Sequence, residues 1–332
     1  MIATLREPAR NLPVTGAFDV VVAGGGIGGV AAAVAAARTG VSVCLLEKEC
    51  SLGGLATVGN VTVWLPICDG KGRQVIGGIG EELLRLAVHD LRQTNRAAGF
   101  VGVPACWEPG GDPAERQQTR FTSQFNPAAY ILGLELWVLD AGVKLMYDTR
   151  LCAVRRSRGK VTHVIVENKS GRSAIACRTA IDATGDADLC FLAGEETESL
   201  DCNVGAAWFY YLKEGAVHLH TSSRAFSANL RRDELKCPGY RGDDAEQVTE
   251  QVLDSRRLTR DECARLSAKY PETDIQPFAL PSIPCFRATR RLVGAQSLGE
   301  RDMHVWFEDA VCLTGDWRRR GPVFAITPAM LR

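Results

Sequence analysis

The sequence predicts an α/β chain built on a parallel β–α–β unit, with an antiparallel meander and a mixed α+β remainder. Two observations carry this. First, the apolar run Phe18–Ala23 ends in Gly24-Gly25-Gly26-Ile27-Gly28-Gly29, a Gly-x-Gly-x-x-Gly string, and a small-residue helix, a second strand and an acid follow within 30 residues. Second, apolar segments further on are separated by tight polar turns, Ser157-Arg158-Gly159 and Asn168-Lys169-Ser170-Gly171.

Each element has a local reason. Gly24 permits the turn out of the first strand, Gly26 leaves backbone open to a pyrophosphate, and Gly29 lets helix and strand pack closely. The helix through Ala31–Ala37 is closed by Gly40, and its N-terminus offers free N–H groups and a positive dipole end. The second strand, Val41–Leu46, ends in Glu47, placed to accept from a ribose hydroxyl. Residues 51–80 are glycine-rich and loop-like. A helix is expected from Gly80 to about Thr94, with Leu83, Leu84, Leu86, Ala87 and Leu91 on its apolar face. Residues 99–125 read as a long irregular excursion. Asn126-Pro127 opens a helix with Tyr130, Leu134, Trp137 and Val138 inward, and Gly142 stops it. Strands follow at 143–147, 150–155, 161–167 and 173–177, and a separate strand, Thr179–Ala183, ends in Thr184-Gly185-Asp186. In 196–276 an aromatic strand, Ala207–Tyr211, is followed by two polar helices, the second opening at a Thr259/Glu262 capping box.

Bulk properties exclude several function classes. Lys+Arg and Asp+Glu both number 39 among 332 residues, so no broad basic surface for nucleic acid is expected. Arg318-Arg319-Arg320 reads as a solvated turn. The 12 cysteines include no Cys-x-x-Cys pair, and Cys44, Cys152 and Cys177 fall inside strands, so neither a disulfide scaffold nor a zinc or iron–sulfur site is expected. Residues 1–17 contain Pro8 and Pro13 and no long apolar stretch, and no run is long enough to span a bilayer. A reducing cytoplasm is the expected location.

With these parts in order, the chain resembles the FAD-dependent oxidoreductases of the two-dinucleotide-binding class, related to fumarate reductase flavoproteins. The resemblance rests on Gly24 to Glu47-Lys48, Gly53-Gly54-Leu55-Ala56-Thr57-x-Gly59, Gly77–Glu82, Gly142-Val143 with the meander, and Ile181–Asp188. Arg287–Gly294 adds a late stretch of the same kind. It implies a glutathione-reductase-like FAD domain from 18–62 and 127–195, and a substrate domain from 63–126 and 196–310. Residues 311–332 would begin a return segment that the family continues further, and Val311–Asp316 only superficially resembles its Gly-Asp turn. The cofactor implied is FAD, held by Gly24, Gly26, Ile27, Gly28, Gly29, Glu47, Lys48, Gly53, Gly54, Ala56, Thr57, Ala183, Thr184, Gly185 and Asp186. Leu151 would meet the adenine region through its backbone.

The chemistry expected is hydride transfer to or from a small polar or anionic substrate. Arg287, Arg290 and Arg291 are candidates for holding a carboxylate, with surface or ion-paired arginines as the alternative. His304 is a candidate general acid or base, with a structural histidine as the alternative. His218 and His220 share one strand face without an evident third metal ligand, and Cys68 is a candidate thiol. Two other readings stay open. An NAD(P)-dependent dehydrogenase would use the same glycine unit but continue with further parallel units. An incomplete flavoprotein subunit would need a partner chain, and a homo-oligomer is also compatible with the sequence.

Overall fold

Side-chain alternation on two short strands organises this chain. The computed structural model describes residues 5–89, 102–224, 236–316 and 318–330. Strand β1 (Val14–Ala23) leads through the glycine turn into α1 (Ile27–Ala37), and β2 (Val43–Leu46) follows. On β1, Val22 faces one side of the sheet while Val21 and Ala23 face the other. On β2, Val43 and Leu45 take the first side and Cys44 and Leu46 the second. All seven are at most 2% exposed, as expected for strands covered on both faces. Burial pushes the Cys44 thiol up to about 12, so it serves as a small apolar residue.

The first side is covered by helices. After a two-residue strand β3 (Val63–Trp64) comes α2 (Ile79–Val88), which begins as expected; the predicted stretch beyond 89, Leu91 included, lies outside the described residues. A short helix α3 (Pro113–Gln118) and β4 (Ser123–Gln124) precede α4 (Pro127–Asp140). Helix α4 starts as the sequence predicts, with Asn126 Oδ1 accepting from the Ala128 N–H at 3.0 Å and Pro127 at the first helical position. Val30, Ala33 and Val34 of α1, Leu83 and Ala87 of α2, and Tyr130, Leu134 and Val138 of α4 close the first core over the sheet. Burying each of these larger aliphatic side chains contributes about 1.5–3 kcal/mol.

The other side is closed by the sheet itself. Strands β5 (Lys144–Met146), β6 (Arg150–Ser157), β7 (Lys160–Asn168) and β8 (Gly171–Asp182) complete one six-stranded sheet in the order β5-β2-β1-β8-β7-β6. Val164 and Val166 of β7 and Ile175 of β8 share a core with Val21, Cys44 and Leu46, so the β6–β7 ribbon curls over the second face. The sequence analysis expects two strands at 173–177 and 179–183, whereas the structure makes one. Strand β8 pairs parallel with β1 from Val14↔Ala174 to Ala23↔Asp182, and its first half also pairs antiparallel with β7. One long strand thus belongs both to the meander and to the parallel sheet.

Beyond a short helix α5 (Asp188–Leu192), strand β9 (Thr197–Ser199) leads to a second sheet. There β10 (Ala206–Lys213) is central between β11 (Ala216–Ser223) and, after α6 (Ala245–Lys269), β12 (Ile275–Ala279). Helix α6 is single and continuous, capped by Asp244. The expected start at Thr259 does not exist: its hydroxyl donates to the Ser255 carbonyl at 2.9 Å, one turn back inside the helix. Strand β13 (Arg290–Leu292) pairs with β9, and the hairpin β14 (Cys312–Gly315) and β15 (Val323–Ile326) pairs with itself. No described helix is long and apolar enough to cross a membrane.

Candidate cofactor site

The C-terminal ends of β1, β2 and β8 lie side by side, the edge at which α/β sheets take ligands. The glycines there divide into two kinds. A Cβ on Gly29 would stand 1.8 Å from the Gly24 carbonyl oxygen, and one on Gly24 would stand 2.4 Å from the Ala183 oxygen. Gly24 also has φ +100°, and its N–H donates to Leu46 at 2.8 Å. These two are glycines because the chain itself leaves no room. Gly26 and Gly28 have nothing within 4 Å of a built Cβ, and Gly185, equally open, is glycine for its φ of +83°. Gly26 even has ordinary backbone angles, φ −64° and ψ 176°, at the N-cap of α1. Nothing in the chain demands glycine at Gly26, so the open backbone there fits a group from outside it.

Around this opening the 53–57 turn is fixed from below. The Gly53 N–H donates to Gly25 at 2.9 Å, forming a parallel bridge between Gly26 and Gly53. Gly53 (φ +99°) and Gly54 (φ +55°) form the bend, and a buried Thr57 hydroxyl donates to the Leu52 carbonyl at 2.6 Å. Thr57 and Ala56 therefore brace the turn from the core side. Ile27 likewise packs on the first core.

Glu47 is held by two backbone donors. It is 6% exposed, and its two carboxylate oxygens accept from the Gly25 N–H at 2.6 Å and the Glu49 N–H at 2.8 Å. It ties the glycine turn to the loop after β2, and each oxygen keeps a second acceptor site for a ribose hydroxyl. The adjoining 148–149 turn is held to the same loop, Thr149 donating to the Glu47 carbonyl at 3.0 Å. Leu151 follows on β6, paired with Val166, its side chain packed on the second core.

The third wall is the turn after β8. Ala183 donates to Ala23 at 2.8 Å, and Thr184 is held by Asp182, which accepts from both its N–H and its hydroxyl. The Thr184 hydroxyl in turn accepts from the Asp188 N–H at 3.0 Å. Burial raises the Asp186 carboxyl above the usual carboxylate range, against a Thr289 hydroxyl bond and the charges of Lys48 and Arg290. Lys48, itself exposed, is thereby placed beside the turn.

Of the expected catalytic residues, Arg290 lies beside the turn after β8, through Asp188. Arg290 lies 4.2 Å over the Phe191 ring and donates to Asp188 at 3.0 Å, while its buried Nε has no partner among the described residues. Arg291 pairs with Glu198. Arg287 is exposed, and its N–H donates to Asn203 at 2.9 Å. His304 is exposed in a left-handed conformation (φ +61°), with its N–H on Val323 of the C-terminal hairpin. Of the histidine pair, His218 stacks on Tyr211 and His220 approaches Glu262 at 3.3 Å, and no group of three ligating side chains is found among the described residues. Cys68 is buried among Ile67, Leu84 and Trp107. Asp316 clamps Arg318 and Arg319, so its glycine turn serves the hairpin.

Sequence reasoning missed Asn203, Thr289 and Asp188. Asn203 is 1% exposed and uses its whole amide, accepting from Arg287 and Ala288 and donating to Tyr240 and Ala288. It has no motif around it. Asp188 could have been found as the acid of Gly185-Asp186-Ala187-Asp188 standing beside the helix it opens.

A family model described as FAD dependent oxidoreductase matches residues 19–206. No curated protein matches. Among solved structures, the chain is similar to a geranylgeranyl bacteriochlorophyll reductase-like protein from Thermoplasma acidophilum, 19% identical with a TM-score of 0.42, over 59% of this chain and 47% of that one. It is similar to the myxobacterial chondrochloren halogenase CndH, 21% identical with a TM-score of 0.38, over 59% of this chain and 44% of that one. It is also similar to a 3-ketosteroid-Δ4-(5α)-dehydrogenase from Rhodococcus jostii RHA1, 16% identical with a TM-score of 0.36, over 60% of each chain. The match thus spans less than half the length of the first two.

Proposed function

The chain belongs to the FAD dependent oxidoreductase family, and from that premise we propose that it transfers hydride between FAD and a small polar or anionic organic substrate. The observation that carries the cofactor half is the open backbone at Gly26 and Gly28, glycines that neither a neighbouring atom nor a left-handed φ requires. The N–H groups at the start of α1 would face the pyrophosphate, Glu47 a ribose hydroxyl, and the Ala183–Asp186 turn the far side of the cofactor. When bound, FAD supplies the two-electron chemistry. The protein's part is to bind, orient and manage charge.

Arg290 does this by positioning. Its contact with Asp188 and stacking on Phe191 fix the segment that also carries Thr289, whose hydroxyl donates to Asp186. Arg287, exposed two residues earlier on the same segment, is the arginine proposed to meet an anionic substrate. His304 is left out of this reading, because its placement ties it to the hairpin.

The test is the visible spectrum of the purified protein with the released cofactor identified after denaturation. One FAD per chain is the expected result, with loss of flavin colour on anaerobic addition of a reducing carboxylic-acid substrate. A colourless protein that cannot be reconstituted with FAD would overturn the reading. Arg287→Ala should raise KM at unchanged FAD content; an unchanged KM removes it from the substrate side.

A further inference from the structure

Three cationic side chains from distant parts of the chain, Lys71, Arg120 and Arg320, converge on two glycine turns. The turn Asp69-Gly70-Lys71-Gly72 docks against Arg320-Gly321, with the Gly321 N–H donating to the Asp69 carbonyl at 2.8 Å. A Cβ on Gly70 would stand 2.9 Å from Arg120 Cδ and 2.9 Å from Arg320 Cγ, so both arginine stems cross the same glycine. A Cβ on Gly321 would stand 2.8 Å from Lys71 Nζ, which places that ammonium on the backbone beside Arg320. Both glycines have left-handed angles, φ +76° and +103°, so the two bare turns are built to let these side chains pass.

The carboxylates nearby are engaged elsewhere. Asp69 is 6% exposed and accepts from the N–H groups of Lys71 and Arg73 at 2.7 and 3.1 Å. Asp316 holds Arg318 and Arg319, and Glu300 pairs with Arg319. Among the described residues no ion pair reaches Lys71, Arg120 or Arg320. Arg120 donates one Nη2 bond to the Asp316 carbonyl at 2.7 Å, while its buried Nε has no acceptor among the described residues. A buried guanidinium N–H without an acceptor is costly, and converging cationic side chains that no carboxylate neutralises favour an anion.

We infer that Lys71, Arg120 and Arg320 form a binding site for a small oxyanion, the carboxylate or phosphate group of a small molecule. Guanidinium and ammonium groups carried on adjoining turns supply the charge and the hydrogen-bond donors such a group needs. The size of the cluster favours one compact anion over a polyanion, because the adjacent Arg318 and Arg319 are already ion-paired. None of the three residues belongs to the glycine cradle, so the inference does not depend on the hydride-transfer reading.

The experiment is calorimetric titration of the full chain, in chloride buffer, with inorganic phosphate and separately with succinate. Saturable binding of either anion is expected, and which of the two binds tells phosphate from carboxylate. Lys71→Ala and Arg320→Ala, both at exposed side chains, should each weaken it about tenfold and together abolish it. Arg301→Ala, at an arginine 86% exposed, should leave it unchanged. FAD content, measured on the same preparations, should not move, so failure of the cofactor assignment reads out separately. Absence of saturable heat with both anions, or equal binding by the double variant, overturns the inference.

Discussion

Gly26 and Gly29 stand three residues apart in one turn, and the chain needs glycine there for opposite reasons. At Gly29 the neighbour is the protein, 1.8 Å from a Cβ, so Gly29→Ala must push helix α1 off β1. We expect it to destabilise by about 3 kcal/mol or more, seen as a lower denaturation midpoint with or without FAD. At Gly26 there is only open space, so Gly26→Val should leave the midpoint of the FAD-free protein nearly unchanged and weaken FAD at least about tenfold. Equal effects of the two variants on folding would refute the division. Asp186 belongs to the same scale. Its folded pKa lies above the ordinary value of 3.8, so its contribution is most favourable below that value and is lost as pH rises through the raised one. Asp186→Asn should therefore stabilise the FAD-free protein near neutral pH and change little in strong acid, which urea midpoints at the two pH values would check.

Among the elements, those with local signals were legible and those decided by distant partners were not. The β1–turn–α1–β2 unit and the Asn126-Pro127 cap follow from neighbouring residues, and the structure has them where the sequence puts them. The sequence predicts two strands on either side of Arg178, which interrupts the apolar pattern of β8. The interruption is harmless because Arg178 points outward and pairs with Asp19 of β1 at 3.1 Å, a partner 159 residues away. The sequence divides helix α6 for a similar reason: Thr259 and Glu262 satisfy a capping pattern, yet Asp254 inside the same helix is held by Arg224 beyond β11. The site shows the same limit. The cradle glycines were readable from spacing, but Arg290's partner Asp188 lies 102 residues away, so its ion pair was not. Asp254 gives the element-scale prediction. It is 2% exposed, and Arg224 first and Arg257 second hold its carboxyl below the usual range. Its contribution is thus present above the ordinary carboxylate value and lost as pH falls through the lowered one. Because both arginines are partly exposed, Asp254→Ala should cost about 2 kcal/mol near neutral pH and progressively less in acid, measured by chemical denaturation.

Over the whole molecule, the question is whether the second sheet merely adjoins the cofactor turn or holds it. Three hydrogen bonds cross between them: Ser282 N–H to Val58 at 2.9 Å, Asn60 to Ala279 at 3.4 Å, and the hydroxyl pair of Thr62 and Tyr210 at 2.6 Å. The last is the strongest test. Thr62 is fully buried and Tyr210 is 4% exposed, so each hydroxyl has the other in place of water. Tyr210→Phe would leave the Thr62 hydroxyl buried and unpaired, at a cost of about 1–3 kcal/mol. Because Thr62 follows the turn that carries Gly53 and Gly54, part of that cost should appear as weaker FAD binding, with the stoichiometry at saturation unchanged. A second variant separates coupling from plain destabilisation. Thr62→Val removes the other hydroxyl, and the double variant leaves no orphan, so it should lose less than the sum of the two singles. Strict additivity, in both the denaturation midpoint and the FAD dissociation constant, would mean that the two sheets are neighbours without being mechanically joined. A coupling energy of about 1 kcal/mol in both would mean that the second sheet sets the shape of the glycine turn.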